Sequence, residues 1–291
     1  MLNLEINEEN SKDEPNGSKA AIEMCQAFYY EKSWAFIDYP RFLFTPQPIA
    51  SDITSVSEVC IDVDEELPLE FKTFMEKPNS KGTIFVAYGN NVYWQQAPEN
   101  VTTEFLSALE YFQDYQIIWT VRYKGLTTTK SNVKITNWAP QRAILKHNST
   151  VLFLSHCGLK SIKEAVCSEV PLVVSPFFSD QTKNAFELVQ NDIAVLISKF
   201  EMNRINIVNT LQKVLSNLEH YKKNVIRFKK LFTDNVKNPL EVSSHFIERA
   251  IRIKKDTKKF KIAGLFSDFQ TTYYFTSIAL IYVLICLIAS K

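Results

Sequence analysis

Neither sign of charge dominates this chain. Its 33 Lys and Arg against 32 Asp and Glu leave a net charge of +1, which removes the electrostatic case for nucleic acid as a partner. Cysteine is sparse: Cys25, Cys60, Cys157, Cys167 and Cys286 form no CxxC pair and show no metal-ligand spacing with a histidine, so no metal site is expected. They read as mostly free thiols, with room for one disulfide. Residues 1–18 hold no apolar core of the kind a secretory leader needs; they are polar and carry Glu5, Glu8, Glu9, Asp13 and Glu14. No internal repeat is evident. Histidine is scarce as well, with His147, His156, His220 and His245 the whole supply for acid–base work.

What is present is an ordinary globular composition, 46% hydrophobic and 22% charged over 291 residues, long enough for a buried core. Strand-like runs fall at 83–88, 116–121, 133–136, 151–155, 172–175 and 194–197. Helical spacing marks 102–111, 159–168, 205–218 and 221–232, and a further helix is expected after Pro239. Short unbroken apolar strands alternating with helices predict an α/β fold with a doubly wound parallel sheet, from about 81 to about 253. Residues 273–289 run about 17 positions without a charge, roughly 26 Å as a helix, at the lower edge for crossing a bilayer. Tyr273, Tyr274 and Phe275 at one end fit an interfacial belt, so the segment reads as a C-terminal transmembrane helix, with a buried core helix as the alternative. The basic stretch 249–261 before it reads either as a solvated helix end or as a juxtamembrane segment drawn to anionic membrane lipid.

The chemistry gathers where strands end. The run 151–154 stops at Ser155-His156-Cys157-Gly158, and a helix opens with Lys160 and Ser161 in its first turn. The first N–H groups of a helix lack internal partners and carry the positive end of its dipole. With His156, Lys160 and Ser161 as donors and Gly158 allowing close backbone approach, the turn suits a diphosphate. Asn137-Trp138-Ala139-Pro140-Gln141 follows another strand end; its indole could stack on a base and its amides could bind base or ribose. Glu164, three residues after Ser161, could accept from ribose hydroxyls, and Asp180-Gln181 after the next strand could bind vicinal sugar hydroxyls.

Trp138-Ala139-Pro140-Gln141, His147, Phe153, His156-Cys157-Gly158, Ser161, Glu164, Val170-Pro171, Pro176, Asp180-Gln181 and Asn184 together resemble the donor-binding signature of UDP-glycosyltransferases. The animal UDP-glucuronosyltransferases are the most similar branch, because of the C-terminal apolar helix. The resemblance implies the C-terminal Rossmann-like half of a GT-B fold. It also implies roles: Trp138 against uracil, Gln141 near the nucleoside, and His156, Gly158 and Ser161 at the diphosphate. Glu164 would hold the ribose, and Asp180 and Gln181 the transferred sugar. UDP-sugar would be co-substrate, with no other cofactor, and a small lipophilic hydroxyl compound the acceptor. A homo- or hetero-oligomer is compatible. Three positions depart from the family pattern: Lys160 replaces a small or amide residue, Glu169 replaces the glycine before Val-Pro, and Asn90 replaces a serine.

By the same resemblance, residues 1–80 correspond to a remnant of an N-terminal acceptor domain and linker, 81–253 to the donor domain, and 254–291 to the basic segment and membrane helix. Family members carry their catalytic base, a histidine, in the N-terminal domain, and no histidine here is assigned that role. His156 is committed to phosphate, His147 reads as structural, and His220 and His245 as surface residues. The expected function is glycosyl transfer from UDP-sugar, the glucuronosyl group above all; a non-catalytic, membrane-anchored partner subunit is the alternative. The resemblance places the full-length relative as a single-pass protein facing the lumen of the endoplasmic reticulum. Seven Lys and Arg in 249–261 against one after the apolar run predict instead a cytosolic domain for the chain as written. Sequons at Asn16, Asn100 and Asn148 point the other way.

Overall fold

The computed structural model describes residues 35–38, 40, 53–61 and 65–253. In chain order the elements are β1 (Ala35–Ile37), β2 (Ile53–Ser55), α1 (Leu69–Met75), β3 (Thr83–Ala87), α2 (Glu99–Glu110), β4 (Gln116–Thr120), β5 (Val133–Thr136), α3 (Gln141–Lys146), β6 (Thr150–Ser155), α4 (Leu159–Cys167), β7 (Leu172–Val174), α5 (Gln181–Gln190), β8 (Ala194–Leu196), α6 (Arg204–Leu215), α7 (Leu218–Phe232) and α8 (Pro239–Ile253). They fall into two compact units, one holding β1, β2 and α8, the other, from 57 to 238, holding β3 to β8 with α1 to α7. In the first, β1 and β2 pair in parallel and Val56 N–H donates to the Ile37 carbonyl.

The second unit is built on six parallel strands in the order β5-β4-β3-β6-β7-β8. Counted within the sheet this is 3-2-1-4-5-6, the doubly wound order, whose direction of winding reverses between β3 and β6. The central strands β3, β6 and β7 carry continuous apolar runs because both faces are covered: Ile84, Phe85, Val86, Leu152, Phe153, Leu154, Leu172, Val173 and Val174 are all buried. Alternation sends Ile84, Val86, Leu152 and Leu154 into one cluster with Phe105 and Leu109 of α2 and Ile207, Leu211 and Val214 of α6. Phe85 and Phe153, register partners, stack on the opposite face at 5.2 Å between centroids. The expected parallel α/β sheet is therefore observed.

Local chemistry explains where the elements differ from the sequence reading. The helical run expected over 205–218 ends at Leu215, since Asn217 turns its amide onto the Lys213 carbonyl and α7 begins at Leu218. At the start of α6, Asn203 accepts from the Asn206 N–H, a side-chain cap on an otherwise unpaired donor. Three helices were not anticipated: α1, which lies in the segment 1–80 read as remnant and linker, α3 and α5. α3 has six residues, too few to show a period, and starts straight after Pro140. α5 buries Gln181, Asn184, Ala185 and Leu188, a helical stripe half made of amides and so invisible to hydrophobic spacing.

The cysteine reading is corrected in part. Cys60 and Cys167 form a disulfide with Cα atoms 5.5 Å apart, while Cys157 is a buried free thiol; Cys25 and Cys286 lie outside the described residues. Among the described residues no helix is long and apolar enough to cross a membrane. The transmembrane segment expected at 273–289, with the basic residues after 253, lies outside them.

Candidate functional site

The carboxyl ends of β3 and β6 meet at the point where the winding reverses, the place where open α/β sheets form a ligand crevice. β6 ends in Ser155, whose Oγ accepts from the Cys157 N–H at 3.2 Å and whose carbonyl accepts from the Ser175 N–H at 2.9 Å. The chain then turns through Cys157 at φ 70° into Gly158 at φ −69°, ψ 140°, the residue before α4. Left-handed backbone is thus carried by the cysteine, not by the glycine. Asn184 of α5 stabilises the turn, donating from Nδ2 to the Cys157 carbonyl at 3.1 Å and to Asp180 Oδ2 at 2.8 Å. Burial, with Asp180 adding to it, pushes the Cys157 thiol far above its ordinary value, so it is no nucleophile.

His156 lies between two glycines. A Cβ on Gly158 would stand 2.5 Å from His156 Nε2, and one on Gly89 would stand 2.9 Å from Nε2 and Cε1. A side chain at 158 would have to displace the imidazole, so the absence of a Cβ there makes room for His156. Burial lowers the His156 pKa, against the opposing pull of the Ala87 carbonyl and the Asp180 carboxylate. The ring is neutral at pH 7, with Nδ1 buried and outside hydrogen-bond geometry.

The structure brings Gln141, Ser161 and Glu164 together. Gln141 opens α3 and donates from Nε2 to Ser161 Oγ at 3.1 Å and to Glu164 Oε2 at 2.7 Å. Arg142 pairs with the other carboxylate oxygen at 3.5 Å. Arg142 was missed in the sequence, because its partner is 22 positions away on another helix and no local pattern links them. Trp138, 64% exposed, stands at the end of β5, where Thr136 Oγ1 donates to its carbonyl at 2.9 Å; Ala139 beside it is buried. Lys160 is exposed in the first turn of α4. Asp180 is exposed just before α5, whereas Gln181 is buried and its Oε1 accepts from the Phe177 and Phe178 N–H groups at 2.8 and 3.2 Å. Gln181 therefore shapes the 176–180 loop with its oxygen. A cleft of about 790 Å³ lined by Arg122, Tyr123, Lys124, Thr136 and Asn137 opens beyond the ends of β4 and β5.

The remaining histidines sit elsewhere. His147 holds a turn through Ser149 Oγ at 2.8 Å and Glu76 Oε1 at 3.2 Å, and His220 pairs with Asp192 on the exposed side of α7. Among the described residues no group of three or more His, Cys, Asp and Glu side chains converges to hold a metal ion.

Comparison with known proteins bears on this geometry. A sequence model of the family described as "UDP-glucoronosyl and UDP-glucosyl transferase" matches residues 12–289. UDP-glucuronosyltransferase 1-2 of Mus musculus is 26% identical over 240 residues, which cover 80% of this chain and 43% of that protein. UDP-glucuronosyltransferase 1A9 of Homo sapiens is 26% identical over 220 residues, 75% of this chain and 39% of that one. The chain thus spans less than half the length of these curated relatives. Among solved structures, a UDP-glucose:anthocyanidin 3-O-glucosyltransferase in complex with UDP superposes with a TM-score of 0.60 at 20% identity, over 73% of this chain and 52% of the other. The glycotransferase of kitacinnamycin gives 0.57 at 20% identity over 75% and 55%. These likenesses establish the parallel α/β fold shared with GT-B glycosyltransferases.

Proposed function

Since the chain belongs to the UDP-glucuronosyl and UDP-glucosyl transferase family, we propose that the 57–238 unit binds UDP-sugar at the β3–β6 crevice and serves transfer of a glucuronosyl group to a small lipophilic hydroxyl acceptor. The observation that carries this reading is the convergence of Gln141, Ser161 and Glu164 beside the start of α4, with His156 fixed between Gly89 and Gly158. Trp138 offers its ring to the uracil and Ala139 and Gln141 flank the nucleoside. Glu164, oriented from both sides by Gln141 and Arg142, accepts from the ribose hydroxyls. The uncapped first amides of α4, with Gly158, Lys160, Ser161 and His156, face the diphosphate. Asp180 meets the sugar, and Gln181 holds the loop that positions it.

In the transfer, an acceptor hydroxyl oxygen bonds to the anomeric carbon as that carbon's bond to the diphosphate oxygen breaks. Charge grows on the leaving diphosphate, where the α4 dipole and Lys160 stabilise it. The hydroxyl proton passes to a general base, to which none of the described residues is assigned. Membrane anchoring through 273–289, with the domain in the lumen of the endoplasmic reticulum, is part of the same proposal; the family relationship and the apolar tail support it. The donor site is tested by titrating UDP into the protein by calorimetry. Base stacking contributes about 1–3 kcal/mol, so Trp138→Ala should weaken UDP binding roughly 5- to 150-fold. Unchanged affinity in folded Trp138→Ala protein would remove the site. Transfer assays with UDP-glucuronate against UDP-glucose then decide the sugar.

A further inference from the structure

Tyr88 follows β3 and directly precedes Gly89. It is 2% exposed, and its hydroxyl donates to Ser175 Oγ at 3.3 Å. Ser175, fully buried, follows β7 and opens the loop that carries Asp180. In the sheet β6 stands between β3 and β7, so the bond spans the strand that leads into His156. The Tyr88 ring makes a second contact with the same loop, meeting the Phe177 ring edge-on with 5.7 Å between centroids. Trp94 and Phe105 hold the phenol from other sides, with centroids at 5.2 and 5.8 Å. The loop needs such bracing. Ser179 is left-handed at φ 58°, a conformation that persists in a residue with a Cβ only where the surroundings fix it. Lys199 Nζ donates to the Phe177 carbonyl at 2.6 Å, and Gln181 Oε1 accepts from the Phe177 and Phe178 N–H groups. Those supports come from the loop's own side of the sheet; Tyr88 alone among these braces comes from β3.

We propose that Tyr88 is a positioning residue for the transferred sugar, acting through Ser175 and Phe177 on the loop that presents Asp180. This rests on the reading of the crevice as a UDP-sugar site, and adds to it a residue too buried to touch nucleotide or sugar itself. Two buried hydroxyls that satisfy each other are costly to part, because parting leaves both without that partner. The loop cannot swing outward at Ser175 without breaking the pair and sliding Phe177 off the Tyr88 ring. Hydrogen bonds weaken steeply with distance and angle, so a small displacement of Asp180 is felt at the sugar. Trp138, Gln141, Ser161 and Glu164 sit on other elements, at the end of β5 and on α3 and α4, and the displacement leaves them in place. Tyr88 therefore bears on the sugar and not on the nucleotide.

The test compares Tyr88→Phe, which keeps the ring and removes the oxygen, with Ser175→Ala and with the double variant, all in the full chain. Calorimetry with UDP, and with the tighter-binding of UDP-glucuronate and UDP-glucose, reads the nucleotide and sugar parts of the site separately. UDP affinity should stay within about 2-fold of the unsubstituted protein, while UDP-sugar affinity falls roughly 3- to 10-fold. The double variant should be no weaker than either single one, since both remove the same bond. Amide hydrogen exchange at 177–180 should be roughly 3- to 10-fold faster in Tyr88→Phe, with β3 and β6 unchanged. Equal losses for UDP and UDP-sugar, unchanged UDP-sugar affinity, additive losses in the double variant, or unchanged loop exchange each overturn the proposal. Failure of the donor-site reading looks different: the unsubstituted protein then binds neither nucleotide, and the sugar role of Tyr88 falls with it even if loop exchange quickens.

Discussion

At the residue scale, His156 shows how a motif letter and its physical reason can part company. His, Gly and Ser in one turn were legible as donors for an anion, and the turn does lie at a strand's carboxyl end. The sequence did not show that Gly89 and Gly158 leave room for a half-buried imidazole, because Gly89 and His156 come from different strands. The burial has a pH consequence. The folded pKa lies below the ordinary 6.5, so as pH falls below about 6.5 the unfolded chain takes up the proton first. The stability tied to His156 is therefore full above that value and declines toward the folded pKa, where the native ring finally charges. A bound diphosphate reverses the preference, because it favours imidazolium. UDP binding near pH 6.5 should then take up protons, and affinity should rise as pH is lowered toward that value. Calorimetry in two buffers of different ionisation enthalpy reads the uptake directly; no uptake would separate His156 from the phosphates.

At the scale of elements, α4 is fastened at its far end and open at its near one. Cys167, its last residue, is bonded to Cys60, and Glu169, two residues on, pairs with Lys229 of α7 at 2.9 Å. Glu169 has φ 59°, which explains why a glycine there suits the family pattern, and its ion pair offsets part of the backbone cost. Left-handed backbone costs a residue with a Cβ about 1 kcal/mol or more; a half-exposed pair contributes less than about 1 kcal/mol. Glu169→Ala and Glu169→Gly both lose the pair, but only glycine relieves the backbone. Glu169→Gly should exceed Glu169→Ala in stability by about 1 kcal/mol in urea unfolding. Equal midpoints would show that the turn is not strained. The strands of the sheet were legible because burial on both faces makes them continuous apolar runs. α5 was not, since Gln181 and Asn184 spend their amides inside the fold and leave no apolar period.

For the whole molecule, the alternation of strand and helix predicted the doubly wound class, while strand order and the Cys60–Cys167 link needed coordinates. No spacing rule selects that pair from five cysteines. A loop of 107 residues closed in the unfolded chain is expected to stabilise the fold by about 2–5 kcal/mol. Cys60→Ser should therefore lower the melting temperature by about 5 °C or more, and reducing agent should lower that of the unsubstituted protein but not of the variant. A reductant-insensitive melting temperature in both would show that the bond carries no stability.

The central pairing of β3 with β6 also sets a timetable. Their register partners Thr83 and Thr150 are about 67 residues apart, and ribosomes add roughly 5–20 residues per second. For roughly 3 to 13 seconds during synthesis, β3 lacks β6 and keeps an open, apolar edge on that side, with β4 complete on the other side only about halfway through. An unpaired edge of that kind is a template for wrong partners. The strand whose end later forms one wall of the crevice is thus the one most exposed to mispairing while the chain is still being made.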